Sequence, residues 1–266
     1  MRKITGLFLL ILIMSACNNN GEQESTTVPT SANNKEKALQ DEVAKYPDSL
    51  LLKENLTQYY RDSGNYEAAL KIVDATLAHD SLNARFWYIK GDLHFENEDT
   101  AKAVTAYEKA VHLFPDPEWL STLGSIYASI KDNRALSIAA ALESLRNVKS
   151  EKTGLLIRGL YYSYTGDKKK AISFFDKSLV LDYTFMIAYR EKGIALYDIG
   201  KYEDALAVLN KAVTLQNNFD EGYYWMGRCL EKLNRNNEAI ENYQTALSYS
   251  PDYVEAKDAL TRLGVK

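Results

Sequence analysis

The stretch LLIRGLYYSYTG at residues 155–166 has two later counterparts in the chain, AYREKGIALYDIG at 188–200 and YYWMGRCLEKLN at 223–234. Each contains one central glycine, and these glycines follow one another at intervals of 34 residues: Gly159, Gly193 and Gly227. A glycine inside a helix costs roughly 0.5–1 kcal/mol relative to alanine, so its return at one phase indicates a repeated packing requirement. A period of 34 residues predicts a solenoid of helix–turn–helix units.

Other positions recur with the same period when each glycine is numbered position 8 of its unit. Position 20 is then alanine in all three units: Ala171, Ala205 and Ala239. Position 24 is large in all three: Phe175, Leu209 and Tyr243. Small residues are expected where two helices touch, with large residues one turn away. The same register extends upstream to units that begin at Ala84 and at Leu50.

The pattern resembles that of the tetratricopeptide-repeat (TPR) family, in which an aromatic residue, leucine, glycine, tyrosine, alanine and proline hold fixed positions. The last unit matches this pattern best, through Tyr223, Met226, Gly227, Leu230, Ala239, Tyr243, Ala246 and Pro251. The resemblance covers residues 50–253. It implies an all-α fold, a right-handed α-solenoid of about six TPR units in which each unit has a first helix and a second helix.

The expected domain organisation follows from this register. Six units are predicted: 50–83, 84–117, 118–151, 152–185, 186–219 and 220–253. An extra N-terminal helix is predicted over 35–49, before the first unit. A capping helix is predicted over 254–266, because a terminal repeat has no neighbour to cover it.

The unit 118–151 departs from the pattern, since Gly124 falls one position early in a strict count. We interpret it as one degenerate helix pair with a shortened turn near Lys131–Arg134. A break between two short arrays is the alternative. The run ALSIAAALESL, which begins at Ala135, has strong helix formers and an apolar stripe and argues against that break.

The N-terminus has the features of an export signal. Arg2 and Lys3 precede a short apolar run at 7–13, and Met14-Ser15-Ala16-Cys17 follows it. This arrangement resembles the bacterial lipobox and implies a signal peptide over 1–16, with a diacylated Cys17 that anchors the chain to a membrane. An ordinary secretory signal and an uncleaved anchor are the alternatives.

The segment that follows the cysteine is polar and almost without large apolar residues, so 17–34 is predicted to be a flexible tether. A flexible chain of this length spans roughly 20–25 Å. Asn18 is not the aspartate that favours retention in the inner membrane, so the resemblance favours the outer membrane over the inner membrane.

Composition excludes several classes of function. A net charge of −4 gives no nucleic-acid footprint. The histidines His79, His94 and His112 lack metal-ligand spacing, and we expect His94 to be a packed residue. Cys229 is expected in the core. We find no phosphate-binding loop and no nucleophile motif, and therefore predict no enzyme, no metal and no cofactor.

In the TPR family, positions 2, 5, 9, 12 and 13 of the first helix line a concave groove. In the last three units these positions combine apolar residues with tyrosine and arginine, the types enriched at binding hot spots. We predict a partner-binding groove along Leu156, Leu160, Tyr164, Arg190, Ile194, Tyr197, Tyr224 and Arg228. The alternative is that some of these residues pack within the solenoid. Glu54 and Gln58 stand where carboxylate-clamp members of the family have lysine and asparagine, so that mode of binding is not expected.

The resemblance implies a membrane-anchored protein–protein interaction scaffold or adaptor of the bacterial cell envelope. Its partner would be a peptide or protein bound in the groove. A glycan- or small-ligand-binding accessory lipoprotein of an uptake system is the alternative, because a tyrosine-rich groove can stack on sugars. Self-association through the groove or a terminal repeat is a further alternative.

Overall fold

The computed structural model of the chain describes residues 29–265, with side chains described from residue 34. This part of the chain consists of α-helices joined by short turns, and it contains no strand. The fourteen helices are α1 (Pro29–Lys45), α2 (Leu50–Asp62), α3 (Tyr66–His79), α4 (Ala84–Glu96), α5 (Thr100–Leu113), α6 (Pro117–Ser129), α7 (Arg134–Ser144), α8 (Val148–Thr165), α9 (Lys168–Leu181), α10 (Met186–Asp198), α11 (Tyr202–Leu215), α12 (Asp220–Lys232), α13 (Asn236–Tyr249) and α14 (Val254–Arg262). The predicted all-α solenoid of helix pairs is confirmed.

The chain divides into two compact units, of which the first ends at Leu56 and the second begins at Thr57. In the first unit, helix α1 begins at Pro29, earlier than the predicted helix over 35–49 and inside the segment predicted to be a tether. Proline is favoured in the first turn of a helix, because its missing N–H needs no partner there. The helix ends at Lys45, shortly before Pro47.

In the second unit the first helices of the regular pairs begin at Ala84, Met186 and Asp220, at 34-residue phase. The third pair is irregular, but it is present as α6 and α7, which favours a degenerate pair over a break. Its turn is not shortened as predicted, because 130–133 is longer than the corresponding turn at 97–99. The irregularity lies in α7, which has 11 residues, and in α8, which has 18. Helix α8 gains an extra first turn, capped by the Asn147 side chain, where α7 ends early.

Each position-8 glycine lies directly against the position-24 side chain of its own pair. A Cβ on Gly159 would lie 2.3 Å from Phe175 Cε1. In the other pairs the corresponding distances are 2.5 Å for Gly91 and Tyr107, 2.8 Å for Gly193 and Leu209, and 2.6 Å for Gly227 and Tyr243. The repeated glycine therefore has the reason predicted from the sequence, which is the close approach of two helices.

The turn between the two helices of each pair contains one residue with a positive φ. Three of these residues are glycines, Gly64, Gly166 and Gly200, with φ of 71°, 101° and 78°. Three are not: Glu98, Lys131 and Asn234, with φ of 60°, 62° and 60°. Every turn within a pair thus has one residue in the left-handed conformation, although only three of the six turns use glycine, which adopts it without steric cost.

The core runs between the helices and is filled by the repeated small and large positions. Ala171, Ala205 and Ala239 are fully buried. Cys229 is also fully buried, as predicted, and burial raises the pKa of its thiol to about 12. His94 is buried too, which confirms its interpretation as a packed residue. The repeated register of small residues therefore sets how closely neighbouring helices approach.

We predict that Gly159→Ala lowers the free energy of unfolding by about 1–3 kcal/mol. The new methyl group must displace the Phe175 ring, and this cost exceeds the gain in helix propensity. Chemical denaturation monitored by circular dichroism would measure the change. In a double-mutant cycle, Phe175→Leu should recover part of the loss, because leucine already faces Gly193 in the next pair. A Gly159→Ala variant more stable than the parent would contradict the packing explanation.

Candidate partner-binding face

The eight residues predicted to form the groove lie on three first helices, α8, α10 and α12. We use the name groove face for the side chains at positions 2, 5, 9, 12 and 13 of the units that begin at residues 152, 186 and 220. None of the eight residues is fully exposed. Five are half-buried: Tyr164, Arg190, Ile194, Tyr197 and Arg228. Partner binding at these residues stays a prediction, but their packing is now defined.

Leu156, Leu160 and Tyr224 are buried, with exposed fractions of 6%, 5% and 7%. The expectation that the two leucines are exposed in a groove is therefore wrong. Both belong to the core cluster that includes Ala188 of α10, with the Tyr164 ring packed against it. The reason is that positions 5 and 9 of α8 face the neighbouring first helix, so an apolar side chain there becomes an interhelical contact.

Arg228, Tyr197 and Tyr224 contact one another directly. The guanidinium of Arg228 donates through Nη1 to the Tyr224 hydroxyl at 2.9 Å and through Nη2 to the Tyr197 hydroxyl at 3.2 Å. Its Cζ lies 5.4 Å from the Tyr197 ring centroid, 5.8 Å from that of Tyr224 and 5.3 Å from that of Trp225. These distances are typical of cation–π contacts. The arrangement fixes both the position and the orientation of the guanidinium.

Arg190 is held in a different way, by carboxylates. Its Nη1 donates to both Glu221 carboxylate oxygens, at 2.7 and 2.6 Å, and its Nε donates to Glu191 at 3.0 Å. Burial raises the pKa of Glu221, and the positive charge of Arg190 offsets part of that rise. Burial also raises the pKa of the nearby Tyr164 to about 12, and the charge of Glu191 adds to the effect. The charge of Arg190 is therefore compensated within the chain.

A similar polar arrangement occurs at the first helices nearer the start of the second unit. The Tyr107 hydroxyl donates to Asp92 at 2.7 Å, and Arg61 Nε donates to Glu96 at 2.8 Å. Burial raises the pKa of Asp92 to about 6, while the hydrogen bond from Tyr107 and the charge of Arg61 oppose this rise. The Tyr107 hydroxyl on α5 and Arg61 on α2 thus satisfy the Asp92 carboxylate on α4.

Two residues that build this face were not among the predicted site residues. Trp225 borders Arg228, and the Tyr253 ring lies 5.0 Å from that of Tyr224. A spacing of 31 residues is a sequence signal for the polar contacts between successive first helices, although it would not have found Trp225 or Tyr253. Arg190 and Glu221, Tyr197 and Arg228, and Glu231 and Arg262 are all separated by 31 positions. In each pair, position 5 or 12 of one unit contacts position 2 or 9 of the unit that follows. The second residue is therefore one helical turn earlier in the numbering of its own unit.

The predicted lipidation site, Cys17, lies outside the described residues, as do the predicted signal peptide and most of the predicted tether. Over residues 29–265, no helix combines the length and the apolar character needed to cross a membrane.

We predict that Leu160→Glu lowers the free energy of unfolding by about 3–5 kcal/mol, because it places an unpaired carboxylate in the core cluster. Ile194→Glu, at a half-buried position of the groove face, should cost roughly 1 kcal/mol. Thermal unfolding followed by the helical circular-dichroism signal would compare the two variants. Equal stability of both would contradict the assignment of Leu160 to the core.

Models of tetratricopeptide repeats match four segments of the chain: 55–117, 154–184, 193–234 and 220–253. Among solved structures, a tetratricopeptide-repeat protein from Parabacteroides merdae superposes with a TM-score of 0.72 and 18% identity. That match covers 87% of this chain and 92% of the other. PilW, a type IV pilus biogenesis factor, superposes with a TM-score of 0.59 and 18% identity, covering 79% of this chain and 97% of the other. At these identities the likeness shows the fold alone.

Curated relatives are similar over part of their length. A TPR repeat-containing protein of Methanocaldococcus jannaschii is 24% identical over 221 residues, which are 75% of this chain and 39% of the relative. A STIP1 homolog of Dictyostelium discoideum is 32% identical over 94 residues, which are 35% of this chain and 17% of the relative. The chain thus spans less than half the length of these relatives. With its matched segments, its helix pairs and its glycine contacts, the chain belongs to the tetratricopeptide-repeat family.

Proposed function

We propose that this protein is a membrane-anchored scaffold or adaptor of a bacterial cell envelope, which binds a partner peptide or protein on its groove face. At the coarse level, tetratricopeptide-repeat proteins mediate protein–protein interactions, and their fold is typical of non-catalytic scaffolds. The observation that carries the proposal is the set of half-buried aromatic, aliphatic and arginine side chains on successive first helices: Tyr164, Ile194, Tyr197 and Arg228. Tyrosine and arginine are enriched among residues that dominate binding energy.

The packing of this face favours binding for a second reason. Arg228 and Tyr197 are held in place by hydrogen bonds and ring contacts before any partner arrives. Less side-chain freedom remains to be lost on association, so the entropic cost of binding is reduced. A face that combines such fixed polar groups with the partly exposed Ile187 and Ile194 suits an amphipathic segment of a partner protein.

The anchoring part of the proposal rests on the sequence around Cys17. Acyl chains on this cysteine would hold the chain at a membrane surface, and more than one chain is needed for stable anchoring. We place the protein at the outer membrane, because Asn18 is not the aspartate of inner-membrane lipoproteins. Restriction to one surface raises the effective concentration of the scaffold near partners at the same surface.

A crosslinking capture experiment in cells tests partner binding on the groove face. We expect Ile187→Glu with Ile194→Glu, both on α10, to remove the captured partners, because two carboxylates would enter an apolar contact. The control is Val180→Glu with Leu215→Glu, which adds the same charge at exposed positions of the second helices α9 and α11. Mass spectrometry identifies the captured proteins, and circular dichroism verifies that both double variants remain folded.

The outcomes separate the possible binding surfaces. Loss of a discrete set of proteins in the α10 variant, with retention in the control, supports the groove face. Loss in the control variant alone would place the binding surface on the second helices and contradict the proposal. Capture of the same proteins by the parent and both variants would also contradict it.

The membrane anchor is tested by Cys17→Ala. We expect the parent to sediment with membranes and to gain the mass of its acyl chains, and the variant to remain in the soluble fraction without that mass. Density-gradient separation of the two membranes then tests the proposed outer-membrane location. A parent chain that carries no acyl mass would rule out the lipid anchor.

A further inference from the structure

Arg228 differs from Arg61 and Arg190, which also lie on first helices, because no carboxylate forms an ion pair with it. Arg61 pairs with Glu96, and Arg190 pairs with Glu191 and Glu221. Within the described residues, the hydrogen-bond partners of Arg228 are the hydroxyls of Tyr197 and Tyr224, which carry no charge. The groove face therefore contains one half-buried positive charge that no carboxylate of the described part of the chain hydrogen-bonds or ion-pairs.

Carboxylates on the same first helix and on the preceding one are paired with other residues. Glu231, on the same helix, accepts hydrogen bonds from Arg262 Nη2 at 2.6 Å and from the Tyr243 hydroxyl, and its charge interacts with Arg228 without forming an ion pair. Asp198, on the preceding first helix, pairs with Lys168 at 2.6 Å. A charge that is partly removed from water and left unpaired is costly, so a carboxylate supplied by a ligand would gain more here than on an open surface.

The hydrogen-bonding capacity of the guanidinium is only partly used. An arginine side chain has five N–H donors in a planar fork, and two of them serve Tyr224 and Tyr197. Three donors remain, which is enough for the two parallel hydrogen bonds that a carboxylate accepts. Each tyrosine hydroxyl accepts from Arg228 and keeps its own hydrogen, so it can donate to the same ligand.

The rings around the guanidinium keep it in one orientation. Tyr197, Tyr224 and Trp225 all have centroids within 5.8 Å of Cζ. Contacts with three rings and two hydroxyls restrict how the guanidinium can turn. A guanidinium held in one orientation favours a planar carboxylate over a diffuse cloud of counter-ions.

We infer that Arg228 is the anchor for a carboxylate of an acidic partner segment, with the hydroxyls of Tyr197 and Tyr224 completing the subsite. This inference rests on the proposed function, because it names the chemistry of the partner that the groove face binds. The carboxylate is that of an aspartate or glutamate side chain, because Glu54 and Gln58 stand where the family's clamp for a terminal carboxylate has lysine and asparagine.

The test uses peptides selected from a random 12-residue library on the purified full chain. Selected peptides are synthesised with either an amide or a free carboxylate at the C-terminus, and their dissociation constants are measured by fluorescence anisotropy. We expect Arg228→Gln to weaken binding of the selected peptides about 10- to 100-fold. Arg228→Lys should recover only part of the loss, since lysine keeps the charge but lacks the fork. Tyr197→Phe should weaken binding several-fold while leaving the arginine in place.

Arg235→Gln is the matched control, because it removes the same charge beside the same pair of helices at an exposed turn where Arg235 pairs with Glu238. Its effect should stay within about twofold. Replacing the acidic residue of the peptide by its amide should remove most of the difference between the parent and Arg228→Gln. This would identify a side-chain carboxylate, whereas binding only by peptides with a free C-terminus would contradict that source. Thermal unfolding verifies that the variants remain folded.

Equal binding of the peptides by the parent and by Arg228→Gln would overturn the inference. If those peptides still lost binding to the Ile187→Glu with Ile194→Glu variant, the proposed function would stand and only the anchor would be wrong. If the library yielded no peptide that binds the parent, both the inference and peptide capture on the groove face would be refuted.

Discussion

The contact between a position-8 glycine and the position-24 side chain of its own helix pair is the constraint on which the other packing depends. Hydrogen in place of a methyl group allows the Phe175 ring to lie against the backbone of α8 at Gly159, and the Tyr243 ring to lie against α12 at Gly227. The two helices of a pair then approach closely enough for alanines at positions 20 and 27 to be fully buried. A helix propensity cost at one residue is offset by the packing of a whole interface.

Close packing within each pair also determines what successive first helices present to one another. Residues 31 positions apart meet across these helices, which brings Glu221 to Arg190 and Arg228 to Tyr197. The same geometry buries Leu156 and Leu160, which a list of family positions had assigned to an open surface. The face left for a partner is therefore more polar and more aromatic than its sequence positions indicate. Its binding character depends on which charges are already paired inside the chain.

The two arginines of this face illustrate that distinction. Arg190 is surrounded by carboxylates and contributes to the cohesion of α10 and α12, whereas Arg228 is surrounded by rings and hydroxyls. Both are arginines on neighbouring first helices, and both were predicted as binding residues on the same grounds. Their different surroundings separate a structural role from a recognition role, because a compensated charge has little to gain from a ligand and an uncompensated one has much.

The sequence by itself determined the repeat, its 34-residue period, the all-α fold and the burial of Cys229 and His94, because these depend on local periodicity and on small residues at fixed phase. In the turns, Gly200 coincides with a left-handed residue, whereas Glu98 and Lys131 adopt the same conformation with no glycine in the sequence to indicate it. Only the tertiary structure decided that α8 takes over a turn that α7 lacks, that Leu160 is core, and that Arg228 has no carboxylate partner in the described chain. These features depend on side chains from different repeats meeting in space, and the pattern within one repeat does not contain that information.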